Sequence, residues 1–122
     1  MKITATCHCG NISLTAETLP AQLGDCNCSL CSRYKALWGA YHPEAVSVDI
    51  QESGISAYAW GDKQIDFMSC ANCHCITHYL TTSQCPQRIL AVNFRLVPTD
   101  LYTDVPIQKI DGASWPSPSE KS

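Results

Sequence analysis

The chain has 122 residues, which is enough for one domain with a modest core and too few for two. Eleven acidic residues outnumber eight basic ones and no basic stripe interrupts the sequence, so nucleic-acid binding through phosphate contacts is poorly supported. The start, MKITATCHCG, lacks the apolar core of a secretory signal, and no apolar run approaches the roughly 20 residues that span a bilayer. We therefore expect a soluble, cytoplasmic protein without nucleic-acid or membrane partners.

Cysteine is the unusual feature of the composition. Nine cysteines in a small secreted chain would indicate a disulfide framework. Here the number is odd and export is not indicated. Reduced cysteines that hold metal ions as thiolates are the better explanation.

The first motif, CHCG, carries Cys7 and Cys9 and precedes a predicted strand in which Ile12, Leu14 and Ala16 alternate with polar residues. In an extended segment, residues i and i+2 point the same way. A C-x-C at a strand end can therefore present both thiolates to one metal ion.

The second motif, CNCSLC, places Cys26, Cys28 and Cys31 within six residues. It overlaps SLCSRYKAL, the one segment that suggests a helix. Because no amphipathic pattern continues beyond it, we expect only a turn or two.

The remainder of the chain favours strands. Val46, Val48 and Ile50 alternate with polar residues, and the segments ISAYAW and ILAVNFRLV are rich in β-branched and aromatic residues. The tail ASWPSPSEKS has two prolines and four serines and should be extended and weakly ordered. The prediction is a mainly β domain over residues 1–112, followed by a tail over 113–122.

The third motif, CANC, supplies Cys70 and Cys73 with the loop spacing of zinc ribbons, and its natural partner is another pair. Cys7 and Cys9 are that pair. The four together predict a closed, structural zinc site. Reduced core cysteines or a different pairing are the alternatives.

The remaining cluster then consists of Cys26, Cys28 and Cys31. A zinc ion with three protein ligands keeps its fourth position for water or substrate, which is typical of a catalytic site. Alternatively Cys75, Cys85 or His74 completes the tetrahedron. The chain is thus expected to hold two zinc ions.

Two other interpretations of these motifs have weaker support from the sequence. CANCH matches C-x-x-C-H, the attachment motif of c-type haem, but haem attachment requires export and a second axial ligand. A thioredoxin-like redox site requires a C-x-x-C in a βαβ setting, which this sequence does not indicate.

The order of the motifs resembles the family of glutathione-dependent formaldehyde-activating enzymes and the centromere protein V domain. The resemblance rests on CHCG (7–10), CNCSLC (26–31), CANC (70–73), VNFRLV (92–97) and DG (111–112), and it covers nearly the whole chain. It implies an Mss4-like fold of short antiparallel strands, a structural zinc on the four paired cysteines and an open zinc on the other three. It also implies carbon-sulfur lyase activity, the reversible joining of glutathione to formaldehyde.

The sequence departs from this family at the sites of two motifs. His74 stands where glycine usually follows the C-x-x-C, and Asn27 stands where a histidine is common inside the second motif. Only Arg33 remains of a basic pair that usually follows the second motif. These differences leave the metal ligands intact and bear on the substrate.

Cationic and titratable residues near the motifs are candidates for further roles. Arg33, with help from Lys35, could pair with a carboxylate of an acidic thiol peptide, or both could be solvated surface charges. His42, His74 and His78 could transfer protons, although structural roles are the simpler expectation. Asn93 and Arg95 are predicted on one side of a strand, either facing a pocket or serving structure, with Asp111 as a partner for the arginine.

Three functions are consistent with these residues. The first is a zinc-dependent carbon-sulfur lyase that acts on a thiol-aldehyde adduct such as S-hydroxymethylglutathione, with Cys26, Cys28, Cys31 and Arg33 in its site. The second is a zinc-stabilised binding module without chemistry, and the third is a metal-handling or redox-sensing protein. An open coordination position favours the first function, and a second closed site favours the second.

Overall fold

The computed structural model describes residues 2–59 and 63–112, and within these ranges the chain is mainly β, as predicted. The predicted tail at 113–122 lies outside the described residues. The strands are β1 (Ile3–Thr6), β2 (Ile12–Ala16), β3 (Leu23–Cys26), β4 (Trp38–Tyr41), β5 (Val46–Ile50), β6 (Ile55–Ala59), β7 (Ile65–Cys70), β8 (Ile76–Thr81), β9 (Leu90–Asn93) and β10 (Ile107–Ile110). Helix α1 (Ser29–Tyr34) follows β3, and short 3-10 turns occupy Pro43–Ala45, Phe94–Leu96 and Thr99–Leu101.

A three-stranded antiparallel sheet has the order β1-β2-β5. Three apolar residues alternate in β2, and all of them are buried: Ile12, Leu14 and Ala16. The pattern that predicts the strand therefore also identifies its buried face. Leu14 pairs with Ala5 on one side and Val48 on the other. The alternating segments at 12–16 and 46–50 are therefore neighbours in one sheet.

A seven-stranded sheet has the order β10-β3-β4-β9-β8-β7-β6. Its pairs are antiparallel except for β10, which runs parallel to β3 and places Ile110 opposite Cys26. This parallel pair differs from the expectation of antiparallel strands alone. Its consequence is that the Asp-Gly sequence after β10 lies beside the second cysteine motif.

Two apolar clusters distinguish the faces of the large sheet. The first lies between the two sheets and includes Leu14, Val92 and Phe94 together with Cys7 and Cys70. The second contains Cys31, Ala36, Trp38, Phe67 and Ala91. Each cysteine group thus belongs to a different cluster.

The segment ILAVNFRLV is a strand only as far as Asn93, so the prediction of an extended chain through Arg95 is wrong. The side chain of Asn93 accepts a hydrogen bond from the backbone N–H of Arg95 at 3.0 Å. Such a bond offers the backbone an alternative to the sheet and starts the 3-10 turn. Asn93 and Arg95 therefore do not share a strand face.

Helix α1 has the short length that the sequence predicts. Among the described residues, no helix is long and apolar enough to cross a membrane.

Candidate metal centres

The closed centre is the group of four sulfurs from the first and third motifs. Cys7 follows β1, Cys70 ends β7, and the four Sγ atoms lie within 4.8 Å of one another. The Cys7–Cys9 and Cys9–Cys70 Sγ distances are 3.8 and 3.6 Å. A tetrahedral zinc with Zn–S bonds of about 2.3 Å requires edges of about 3.8 Å, so the arrangement of Cys7, Cys9, Cys70 and Cys73 fits zinc.

Both cysteine pairs of the closed centre lie on turns with matching hydrogen bonds. The N–H of Cys7 donates to Ile12 O, and the N–H of Cys70 donates to Cys75 O. The sulfur of Cys7 accepts from the Ile12 N–H at 3.3 Å. These bonds fix the sulfurs in place and partly neutralise a thiolate.

The residue after the second cysteine has a left-handed backbone in both turns. Gly10 has φ +85°, and His74 has φ +67°. This conformation costs glycine little, whereas it strains residues that carry a Cβ. His74 is therefore a point of local backbone strain, and the four sulfurs nevertheless lie together.

Asn11 supports the closed centre and was not singled out by the sequence reasoning. Its buried side chain donates to the Cys70 sulfur at 3.4 Å and to Gly54 O at 2.8 Å. Its Oδ1 atom accepts from the Ser53 N–H. The one available signal was a polar residue between CHCG and an apolar strand, which is too general to predict this role.

Hydrogen bonds prepare two sulfurs of the closed centre for metal binding. The backbone N–H of Cys75 lowers the pKa of Cys73 to about 6. Burial raises the pKa of Cys70, but the N–H groups of Cys73 and Asn72 outweigh burial and lower it to about 7. At neutral pH, before an ion binds, Cys73 is therefore mostly thiolate and Cys70 is divided between thiol and thiolate.

The open centre consists of three sulfurs at the end of β3 and the start of α1. The Sγ atoms of Cys26, Cys28 and Cys31 lie within 4.8 Å of one another, and the described residues add no fourth His, Cys, Asp or Glu to this group. Cys28 is the N-cap of α1, and its sulfur accepts from the Cys31 N–H at 3.3 Å. The start of the helix therefore orients two of the three ligands.

Gly112 supports the interpretation of this group as a metal centre. A Cβ atom at residue 112 would lie 2.6 Å from the Cys26 sulfur and 3.3 Å from the Cys28 Cβ. The Asn27 N–H donates to Ile110 O, and the Asn27 side chain donates to Asp111 at 3.0 Å. The DG sequence thus packs against the second motif, and its glycine leaves room around the ligand sulfur.

The three thiols share protons unequally. Hydrogen bonds from Cys26 and then Cys31 place the pKa of Cys28 far below its usual value. The same interactions, first with Cys26 and then with Cys28, raise the pKa of Cys31. Three sulfurs held so close favour one thiolate among two thiols until a cation compensates their repulsion, which is the chemistry expected of a metal site.

An aromatic wall, formed by Tyr34, Trp38, Phe67 and Tyr79, lies beside the open centre. The Trp38 and Tyr79 rings meet edge-on at a centroid distance of 4.9 Å, and Phe67 lies within 6.0 Å of the other three rings. Cys26, Cys28 and Leu30 pack against the cluster that contains Cys31, Trp38 and Phe67. Sequence reasoning missed this wall because its members come from α1 and three separate strands.

Arg33 lies in the last turn of α1, two residues after Cys31, and is exposed. Its Nη1 atom donates to Ser29 O at 2.6 Å. Arg95 donates from Nε to Lys35 O at 2.9 Å and so holds the C-terminal end of α1. Asn93 is buried and caps a turn, which is the structural role that was expected.

The remaining candidates lie away from both sets of ligands or serve structure. His42 caps a 3-10 turn, and buried His78 bonds to Thr77 Oγ1 at 2.8 Å. Cys75 and Cys85 belong to neither ligand group among the described residues. Cys75 nevertheless packs beside the closed centre, since its backbone N–H reaches Cys73.

The comparisons with known proteins support the fold. A crystal structure of a Rhodobacter sphaeroides protein, a structural-genomics target, is similar to this chain with a TM-score of 0.68 and 27% sequence identity. The match covers 88% of this chain and 100% of that chain. No protein-family model and no curated protein matches the chain.

Proposed function

We propose that the protein is a zinc-dependent carbon-sulfur lyase that acts on a thiol-aldehyde adduct of the S-hydroxymethylglutathione type, as in the glutathione-dependent formaldehyde-activating family. The observation that carries the proposal is the division of seven cysteines into one group of four and one of three. Four sulfurs complete a tetrahedron, whereas three leave a position for a substrate ligand.

A zinc ion bound at the open centre supplies a site for a fourth sulfur and lowers the pKa of the thiol that occupies it. Cys26, Cys28 and Cys31 would hold the ion. The aromatic wall packs against the sulfurs of the centre, and its apolar surface strengthens electrostatic interactions there.

The reaction requires cleavage of one carbon-sulfur bond. The adduct loses its hydroxyl proton, its carbon-oxygen bond becomes the aldehyde double bond, and the sulfur leaves with the bonding electron pair. The sulfur then takes up a proton, so that one adduct gives one thiol and one aldehyde without a redox change. In the reverse direction the thiolate is the nucleophile.

Arg33 is the residue proposed to recognise an acidic thiol. It is exposed in the last turn of α1, two residues after Cys31, and its guanidinium can make bidentate hydrogen bonds to a carboxylate after it releases Ser29 O. Formation of such a pair would favour glutathione over an uncharged thiol of similar size.

The test is NMR exchange spectroscopy of the hydroxymethyl adduct with glutathione and formaldehyde. Zinc-loaded protein should accelerate exchange, and Cys28→Ser should abolish the acceleration. Cys85→Ser is the matched control, because Cys85 belongs to neither ligand group and its loss should leave the rate unchanged. Arg33→Gln should raise the glutathione concentration needed for half-maximal rate, with little effect on a thiol that lacks carboxylates.

Native mass spectrometry should find two zinc ions in wild-type protein. A protein that holds two ions but never accelerates exchange, with any thiol tested, would contradict the lyase proposal and favour a binding module. Reversible loss of zinc under mild oxidation, without exchange activity, would favour metal handling or redox sensing.

A further inference from the structure

The indole N–H of Trp38 is a buried donor that lacks an acceptor among the described residues. Trp38 is only 6% exposed. Leaving a buried donor unpaired destabilises the folded protein, so such a group requires a specific explanation. Its position beside the open centre provides one.

Trp38 lies on the same side of the large sheet as the open centre. It pairs with Gly24 on β3, and a Cβ at residue 24 would lie 3.9 Å from the Trp38 Cβ. Cys26 follows Gly24 by two residues in the same strand and therefore points the same way. Trp38 and Cys31 are members of one buried cluster.

The sulfurs of the open centre differ in the hydrogen bonds they accept. The Cys26 sulfur accepts from the Cys28 N–H at 3.5 Å, and the Cys28 sulfur accepts from the Cys31 N–H at 3.3 Å. Within the described ranges, no backbone N–H reaches the Cys31 sulfur. The Trp38 N–H favours the thiolate of Cys31 and opposes the rise in its pKa, yet it lies outside hydrogen-bonding geometry.

We infer that Trp38 is a positioning residue of the open centre, whose indole N–H donates to the Cys31 thiolate when a metal ion is bound. The inference rests on the metal centre of the proposed function and requires no lyase activity. Conversion of Cys31 from thiol to metal thiolate turns its sulfur into a stronger acceptor. The same step supplies the buried N–H with the partner that it lacks, so metal binding removes the cost of the orphan donor.

The bond should also stabilise the loaded centre. A hydrogen bond from a neutral donor to a buried acceptor contributes about 1 kcal/mol, which corresponds to about fivefold in affinity. Groups that bond metal ligands from outside orient them and adjust metal affinity in this way. The aromatic contacts with Tyr79 and Phe67 hold the Trp38 ring in the cluster that contains Cys31, so the bond requires only a shift of the Cys31 sulfur toward the N–H when three ligands gather around one ion.

The experiment uses full-length protein labelled with 15N in its tryptophan side chains and titrated with 113Cd. Trp38→Phe assigns the indole signal. When the second metal equivalent binds, the Trp38 indole proton should move downfield and show scalar coupling to 113Cd across the N–H···S bond. Trp38→Phe should also bind the second equivalent about fivefold more weakly, with the first equivalent unchanged.

An indole proton that neither shifts nor couples to bound cadmium would overturn the inference. So would a folded Trp38→Phe variant that binds the second equivalent as tightly as wild type. If Trp38→Phe fails to fold, the coupling in wild type decides alone. The Trp38 signal is then assigned by substituting the other two tryptophans, which leaves one indole signal.

The two proposals can fail separately. Coupling in a protein without lyase activity supports the role of Trp38 and contradicts the lyase. A wild-type protein that binds a single cadmium ion overturns both, and that result is visible in the metal count before any indole signal is read.

Discussion

Single residues determine the backbone strain in the turns that hold the sulfurs of the closed centre. His74 adopts φ +67° after Cys73, in the position that Gly10 occupies after Cys9. A residue with a Cβ in the left-handed region costs about 1–2 kcal/mol. Replacing it with glycine removes this cost, but part of the gain in stability is lost because glycine has more conformational entropy in the unfolded chain. The turn at His74 therefore contains backbone strain that a single substitution can remove.

His74→Gly should therefore raise the free energy of unfolding by about 0.5–1 kcal/mol. Urea unfolding at a fixed zinc concentration measures the change. Gly10→Ala is the reciprocal control: its Cβ would meet nothing within 4 Å, so its effect comes from φ alone and should be destabilising. Loss of stability in His74→Gly would indicate that the imidazole itself stabilises the centre.

His78 gives the protein a pH dependence at the residue scale. Burial lowers its pKa to about 4, while the unfolded chain has a value of about 6.5. Between these values the unfolded state binds more protons, so stability falls as pH falls. Between pH 7.5 and 5.5 the contribution should be about 1.4 kcal/mol.

Comparison of wild type with His78→Gln over that pH interval isolates this effect, provided that zinc content is verified at each pH. The difference in unfolding free energy between the two proteins should diminish toward pH 5.5. A difference that stays constant would mean that the unfolded and folded pKa values of His78 are similar.

At the scale of elements, α1 and the open centre depend on the same residue. Cys28 is both a predicted metal ligand and the N-cap whose sulfur accepts the Cys31 N–H. Serine is a favourable N-cap and a poor zinc ligand, whereas alanine provides neither function. Substitutions at residue 28 can therefore separate metal binding from helix capping.

Cys28→Ser should lose the second zinc ion and retain the fold. Cys28→Ala should lose the same ion and about 1 kcal/mol more of unfolding free energy. Metal analysis with thermal unfolding measures both effects. At Cys26, which caps no helix, serine and alanine should differ less; an equal difference at both positions would contradict the capping role.

At the scale of the whole molecule, the closed centre connects distant parts of the chain. Cys7 and Cys70 both belong to the cluster between the two sheets, and Asn11 links the Cys70 sulfur to the loop at Gly54. Ligands that are not assembled in the unfolded chain convert metal binding into folding free energy. The closed centre should therefore control global stability, and the open centre should not.

Cys70→Ser should lower the melting temperature sharply or yield insoluble protein, whereas Cys28→Ser should melt close to wild type. A chelator titration offers a second measurement, in which release of the zinc ion at the open centre precedes unfolding and release of the zinc ion at the closed centre accompanies it. Equal destabilisation by Cys70→Ser and Cys28→Ser would mean that both centres are structural.

The sequence by itself determined the secondary structure class, helix α1 and the partition of the cysteines. These features depend on spacing within a few residues: alternation at Ile12, Leu14 and Ala16 identifies a strand, and C-x-C and C-x-x-C identify chelating pairs. The end of β9 at Asn93 was missed because its side-chain bond to the Arg95 N–H competes with extension of the strand.

Only the tertiary structure decided what surrounds the sulfurs. The parallel pairing of β10 with β3 brings Gly112 against Cys26, across more than half of the chain. The approach of β4 to β3 brings Trp38 to Cys31, and Asn11 reaches Cys70 through the packing of two sheets. Such contacts leave no local periodicity in the sequence, because they arise from the order of strands in a sheet rather than from the spacing of residues along one strand.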